Sequence, residues 1–146
     1  STKSGSSFYF AVAMLYCADG ETAARLAYAQ EKKDPIEVRM AAAMDENPST
    51  VGMLDAIEVA KRQWDERMNE DYAKLKNQMT PDEWSAFVKA QKAWIAYRDV
   101  QIDSLGKTYS KMEGTMWLPA RAHAEMDLTK ERSQFLQKTL ELLTER

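Results

Sequence analysis

The feature that most constrains the fold is a helical spacing of apolar residues that runs without interruption through residues 50–79. Its apolar residues recur at intervals of three, four and seven, which places their side chains on one face of an α-helix. They are Leu54, Ile57, Trp64, Met68, Tyr72, Leu75 and Met79. The segment therefore predicts one amphipathic helix of about 28 residues.

A strong break follows at residues 80–83, Thr-Pro-Asp-Glu, which combine an N-cap threonine, a proline at the first helical position and a capping-box glutamate. The next helix repeats the three-and-four spacing and is expected to end at Gly106. Residues 107–114 are predicted to form a polar loop. A final helix is expected to begin near Thr115 or Pro119.

Shorter helices are predicted before residue 49. The first covers residues 7–18 and the second begins at Thr22, while the third is capped by Asp34, starts at Pro35 and is closed by Asn47-Pro48. No segment alternates with period two over a useful length, so strands are not expected. We therefore predict an all-α fold, an antiparallel helical bundle with three long helices preceded by short N-terminal helices.

The length of 146 residues fits a single helical domain. We expect residues 1–48 to form an N-terminal helical extension of that domain and residues 49–146 to form its core.

Composition excludes several function classes. A net charge of −3 provides no basic field for nucleic acid, and no apolar run reaches the length of a transmembrane segment. One His rules out a histidine metal site, and Cys17 alone rules out an internal disulfide. Phosphate-binding loops and the hydrolase nucleophile elbow have no matching motif. We expect neither an enzyme nor a cofactor-binding protein.

The most distinctive stretch is residues 91–101, where polar groups share a helical face with apolar ones. We expect Trp94 to anchor the core and Arg98 to pair with a carboxylate of a neighbouring helix, either Asp65 or Asp127. The alternative is that this face forms a functional pocket.

Three short motifs follow one another along the long helices. The first begins at Trp64 and includes Asn69 and Tyr72, the second comprises Gln91, Trp94, Tyr97, Arg98 and Asp99, and the third comprises Leu128, Thr129, Arg132 and Leu136. Together they resemble the LprI-like lysozyme-inhibitor family of bacterial envelope proteins, over about residues 49–140. The family commonly has cysteines where this chain has Ala56, Ile102 and Ala124. The resemblance assigns no catalytic residue.

The resemblance implies a non-enzymatic protein that binds and inhibits a peptidoglycan-degrading enzyme of the lysozyme type. It implies a periplasmic or secreted location, although a cytoplasmic one stays open because the chain has one Cys and no visible signal peptide. Two alternatives remain: an immunity protein that neutralises a secreted cell-wall amidase, and a structural module that docks helices through residues 8–16. Self-association into a homo-oligomer is also left open.

The predicted contact surface is the loop at residues 107–114, because inhibitors of enzymes with a cleft often insert a protruding element. Tyr109 would be the interface anchor. Ser110, Lys111 and Glu113 would supply hydrogen bonds and charges to the partner. The alternative is a solvated connection between helices.

With one cysteine in the chain, the fold should not depend on reductant. We expect the same melting temperature with and without dithiothreitol. A drop of several degrees on reduction, from a sample that ran as a dimer beforehand, would show instead that Cys17 crosslinks two chains.

Overall fold

The computed structural model describes Gly20 and residues 33–146. The helices predicted over residues 7–18 and from Thr22 onward, together with Cys17, lie outside the described residues. The chain divides into two units, residues 1–38 and residues 39–146.

The first described helix, α1, covers Pro35–Glu46. Its predicted beginning is confirmed, because the Asp34 side chain accepts a hydrogen bond of 2.9 Å from the backbone N–H of Ile36. Its end before Asn47-Pro48 is also as predicted.

The helix α2 covers Thr50–Gln78, as the apolar spacing predicts. Ser49 caps it, and the Ser49 hydroxyl accepts a hydrogen bond of 3.0 Å from the backbone N–H of Gly52. Gly52 is required in this first turn, because a Cβ there would collide with the backbone carbonyl of Asn47.

The helix α3 covers Pro81–Tyr109 and begins with the predicted capping box between Thr80 and Glu83. The prediction that it ends at Gly106 is wrong. A glycine inside a helix costs about 1 kcal/mol relative to alanine, which is too little to end a helix that is otherwise supported. The Lys107 ammonium lies 2.8 Å from the Asp103 carboxylate one turn earlier, and the backbone N–H of Ser110 donates to the Gly106 carbonyl.

The final helix, α4, covers Trp117–Thr144. Its first residue lies between the two predicted starting points, and Pro119 occupies the first turn, where its missing N–H costs no helical hydrogen bond. The connection between α3 and α4 is therefore residues 110–116 rather than residues 107–114. Within this connection Gly114 has a left-handed backbone, with φ of 88°.

The three long helices run up, down and up. Helices α2 and α4 are parallel neighbours, because Lys130 lies over the Trp64 ring while Glu141, further along α4, lies near Asp71, further along α2. Helix α3 runs antiparallel to both: Arg132 of α4 contacts Gln91 of α3, whereas Arg121, earlier on α4, lies beside Gly106, further along α3. The predicted all-α antiparallel bundle is confirmed, and the described residues include no strand.

The bundle core lies mainly between α2 and α4. Its fully buried large side chains there are Trp64, Leu75, Met126 and Leu136. Helix α3 contributes two buried residues, Phe87 and Gln91, both from its N-terminal half. Its C-terminal half therefore exposes more of its surface. No helix in the described part of the chain is long and apolar enough to span a membrane.

Arg146 ties the end of α4 to the start of α3. Its guanidinium donates to both oxygens of the Glu83 carboxylate, at 3.0 and 2.8 Å, and to the backbone carbonyl of Gln78 at 3.2 Å. Such a bidentate, charge-assisted pair is geometrically specific. Through these contacts Arg146 links the end of α2, the start of α3 and the end of α4.

The Arg146 guanidinium and the backbone N–H of Thr80 hold the pKa of Glu83 at about 2, below its usual 4.5. A lowered folded-state pKa contributes stability that is complete above the unfolded-state value and is lost as pH falls through the folded-state value. We therefore expect the melting temperature of the wild type to fall more steeply than that of Glu83→Gln between about pH 5 and about pH 2. Thermal unfolding followed by circular dichroism at stepped pH measures this.

The matched control is Asp82→Asn, since Asp82 is an exposed neighbour that forms no ion pair with any described residue. It should follow the wild-type curve. Parallel curves for wild type and Glu83→Gln would contradict a stabilising role for this pair.

Candidate functional site

The connection between α3 and α4 is an ordered turn that is exposed along its length, residues 110–116. The Ser110 hydroxyl donates to the Lys107 carbonyl at 3.0 Å. The backbone N–H of Met112 donates to the Tyr109 carbonyl at 3.1 Å, and that of Leu118 donates to the Thr115 carbonyl at 3.2 Å. These bonds, with the left-handed Gly114, define the path of the turn.

Tyr109 lies at the base of this turn, as the last residue of α3. It is half-buried, and its ring faces the Trp117 ring of α4 at a centroid distance of 6.4 Å and an angle of 58°. Tyr109 therefore holds the two helix ends together and is a less accessible anchor than its sequence position suggests. Lys111 and Glu113 are exposed on the turn.

The sequence reasoning missed the apolar side chains beside these polar ones. Met112 is 40% exposed, Met116 is 69% exposed and Leu118 is 50% exposed. Methionines within a polar connection were the available signal, since their flexible thioethers adapt to varied partner surfaces. The predicted polar contact residues therefore share the turn with an apolar patch.

A groove of about 390 Å³ lies between the three long helices, further from the turn. Lys61 and Asp65 of α2, Arg98 and Asp99 of α3, and the buried Thr129 of α4 are among its lining residues. Asp99 and Ile102 also line a second, more open groove that continues along α3 to Gly106 and Ser110. The first groove carries cations and carboxylates in equal number, so it does not favour an ion of either sign.

Gly106 shapes this second groove. A Cβ at Gly106 would lie 3.1 Å from the Arg121 guanidinium, so the glycine lets Arg121 approach α3 closely. Arg121 is held there by Glu125 at 2.9 Å on its own helix. The glycine predicted to end α3 instead permits contact between α3 and α4.

Arg98 does not pair with Asp65 or Asp127, so that prediction is wrong. Its guanidinium pairs with the adjacent Asp99 at 3.1 Å and lies over the Trp94 ring at 5.3 Å. The Asp65 carboxylate accepts instead from the Asn69 amide at 3.4 Å, and Asp127 pairs with His123 at 3.3 Å. Arg98 lines the groove between the three long helices, and its ion-pair partner there is the Asp99 carboxylate, next to it in the sequence.

The arginine that enters the bundle is Arg132. Its Nε donates to the Gln91 side-chain oxygen at 2.8 Å, and the Gln91 amide donates to the Met68 sulfur at 3.8 Å. The guanidinium lies 5.0 Å from the Phe135 ring centre and 5.9 Å from those of Phe87 and Trp94. Burial lowers the pKa of Arg132. The Gln91 and Arg132 motif residues thus join α3 to α4.

The remaining motif residues divide between core and surface. Trp64 is fully buried, whereas Trp94 is partly buried against the cluster of Met68, Phe87 and Leu136. Tyr72 packs on the Trp84 ring at 4.9 Å, while Asn69 and Tyr97 are exposed. The main tryptophan anchor is therefore Trp64. Among the described residues, no group of three His, Cys, Asp or Glu side chains could hold a metal ion.

The sequence model of the family described as Lysozyme inhibitor LprI matches residues 40–136. The chain belongs to the LprI family. The match includes all three motifs and begins before the predicted boundary at residue 49, within α1. The comparison with curated proteins finds no match for this LprI chain.

A solved structure shows a similar fold. It is a crystal structure of an uncharacterized protein from Burkholderia thailandensis, with a TM-score of 0.73 and 23% sequence identity. The alignment covers 78% of this LprI chain and 57% of the Burkholderia protein. The chain thus spans little more than half of that protein's length, and the likeness concerns the fold alone.

The difference in burial between the two motif tryptophans is directly testable. Trp64→Ala removes a fully buried indole and should cost about 3–5 kcal/mol in the free energy of unfolding, because it leaves a cavity. Trp94→Ala should cost less, since part of its ring already contacts solvent. Urea unfolding followed by far-UV circular dichroism compares them. An equal or larger loss for Trp94→Ala would contradict the assignment of Trp64 as the main anchor.

Proposed function

We propose that this protein is a non-enzymatic inhibitor that binds a lysozyme-type peptidoglycan hydrolase. The observation that carries the proposal is the match of the lysozyme-inhibitor family model to residues 40–136, which form most of the described bundle. The family is one of inhibitors, so the protein's activity would consist of occupying a partner rather than of transforming a substrate.

The net charge of the chain supports association with a basic enzyme. The chain carries a net charge of −3, and opposite net charges increase the rate at which two proteins encounter each other. Increasing salt screens this attraction and should mainly slow association.

The target of a lysozyme inhibitor acts on peptidoglycan, so we place this protein in the periplasm or outside the cell. The family match supports that location. An amidase target, as for an immunity protein, is a separate outcome of the same assay.

The test is an inhibition assay with the purified chain against lysozymes of different structural types, a lytic transglycosylase and a cell-wall amidase. We expect stoichiometric inhibition of at least one lysozyme, measured as slower clearing of a peptidoglycan suspension. The association rate, from surface plasmon resonance, should fall about tenfold or more between low and high salt. An acidic helical protein of similar size is the control for non-specific charge effects.

Inhibition of the amidase alone would support the immunity-protein alternative. The absence of binding to every glycosidic enzyme and to the amidase would overturn the proposed function.

A further inference from the structure

We propose that the turn between α3 and α4 enters the substrate cleft of the hydrolase, with Lys111 facing the cleft's catalytic carboxylates and Met112 and Met116 packing on its walls. This inference rests on the proposed function and adds the contact element and the chemistry of the partner surface. The turn and the first residues of α4, residues 110–118, are called the tip below.

The tip presents a small apolar surface to solvent. Met112, Met116 and Leu118 expose 40%, 69% and 50% of their surface within seven consecutive residues. Exposed apolar groups bordered by polar residues are typical of protein-binding sites. Methionine suits such a site, because its thioether packs against aromatic rings and adapts to irregular walls.

The tip is held in shape before any partner binds. The Tyr109 and Trp117 rings face each other across its base. Ser110 bonds back to α3 through both its N–H and its hydroxyl, and Thr115 accepts from the N–H of Leu118. Binding would therefore order few additional backbone groups, which lowers the entropic cost of inserting the tip.

Lys111 is the cation available to a partner at this place. Lys107, one turn earlier, is already bonded to Asp103 at 2.8 Å, and Arg121 is bonded to Glu125 at 2.9 Å. Lys111 is exposed and forms no ion pair within residues 33–146. Most glycoside hydrolases carry two carboxyl groups on either side of the scissile bond. An ammonium group placed between walls that exclude water interacts with such carboxylates more strongly than it does in solution.

The charge of the tip favours a protein cleft over a membrane surface. Lys111 is offset by the exposed Glu113 two residues later, so the tip has no cluster of basic residues. Adsorption to an anionic membrane generally requires several basic residues near one another. One cation followed by two methionines within the next five residues fits a site where the opposing negative charge is concentrated, as in a catalytic cleft.

The test compares tip variants with matched variants elsewhere, using a lysozyme that the wild type inhibits. Lys111→Glu reverses the charge at the tip, and its control is Lys138→Glu on an exposed position of α4. Met116→Ser removes an apolar side chain, and its control is Leu142→Ser, because Leu142 is equally exposed at 69%. Melting temperatures of all four variants should equal that of the wild type.

We expect Lys111→Glu and Met116→Ser each to raise the inhibition constant about tenfold or more, and both controls to change it less than twofold. A soluble N-acetylglucosamine oligomer should compete with the wild type, because both would occupy the cleft. With a lysozyme whose catalytic glutamate is changed to Gln, which is inactive, binding is measured by surface plasmon resonance, and the ratio of the dissociation constants of Lys111→Glu and the wild type should be smaller than with the unchanged enzyme.

Full inhibition by both tip variants would overturn this inference while leaving the proposed function intact. Wild-type inhibition that the oligomer does not affect would also overturn it, since the inhibitor would then bind outside the cleft. The wild-type protein could instead sediment with vesicles of phosphatidylcholine and phosphatidylglycerol. If Met116→Ser abolished this sedimentation without any loss of lysozyme binding, the tip would be assigned to a membrane. No binding of the wild type to any hydrolase would overturn the proposed function itself.

Discussion

The packing of α2 against α4 is the contact on which the rest of this bundle depends. Trp64 and Leu75 of α2 and Met126 and Leu136 of α4 are almost completely removed from solvent. Burial of side chains of this size contributes about 1.5–3 kcal/mol each, so this pair of helices accounts for much of the hydrophobic stabilisation.

Helix α3 is held mainly through its N-terminal half, where Phe87 and Gln91 are buried and the Glu83–Arg146 pair closes the end of the bundle. The other half of α3 can therefore expose its surface and carry the tip without weakening the core.

The bond between Arg132 and Gln91 adds specificity to this packing. A cation that is partly removed from water contributes little net stability, because the loss of hydration offsets what the hydrogen bond gains. Its geometry nevertheless allows one alignment: the 2.8 Å contact is made only when the third turn of α3 lies opposite the middle of α4. The guanidinium lies near the rings of Phe87, Trp94 and Phe135. A shifted alignment would be costly, because the cation would meet apolar side chains and lose its attraction to the faces of these rings. We infer that this motif pair selects the alignment of α3.

Sequence reasoning succeeded where the signal is local. Thr80 and Glu83 mark the start of α3 because both partners of the capping box lie within one turn, and the apolar spacing defines α2 because one face must be buried.

Prediction from the sequence failed where the outcome depends on a distant neighbour. The sequence predicts a helix end at Gly106, yet this glycine lies within α3 and admits Arg121 from α4. Arg98 and Arg132 both lie on faces that mix polar and apolar residues, and only the packing of three helices decides which guanidinium enters the bundle. Of the candidate contact residues, Ser110, Lys111 and Glu113 lie on the exposed turn, whereas Tyr109 ends α3 beneath it; the exposed methionines of the turn are not among the residues that the sequence predicts.

The positions of the motifs bear on how far family membership can specify a target. The motif residues Trp64, Gln91, Thr129 and Arg132 lie in the core or join its helices, so they maintain the bundle. Residues 110–116 are exposed throughout, and apart from Gly114 none of them has the left-handed backbone that restricts residue choice. Substitutions there leave the buried contacts intact and usually change stability by less than about 0.5 kcal/mol. One bundle can therefore carry tips of different chemistry. In this chain Lys111, which forms no ion pair with any described residue, precedes Met112 and Met116, and the partner that we propose has a cleft that is acidic at its base and apolar along its walls.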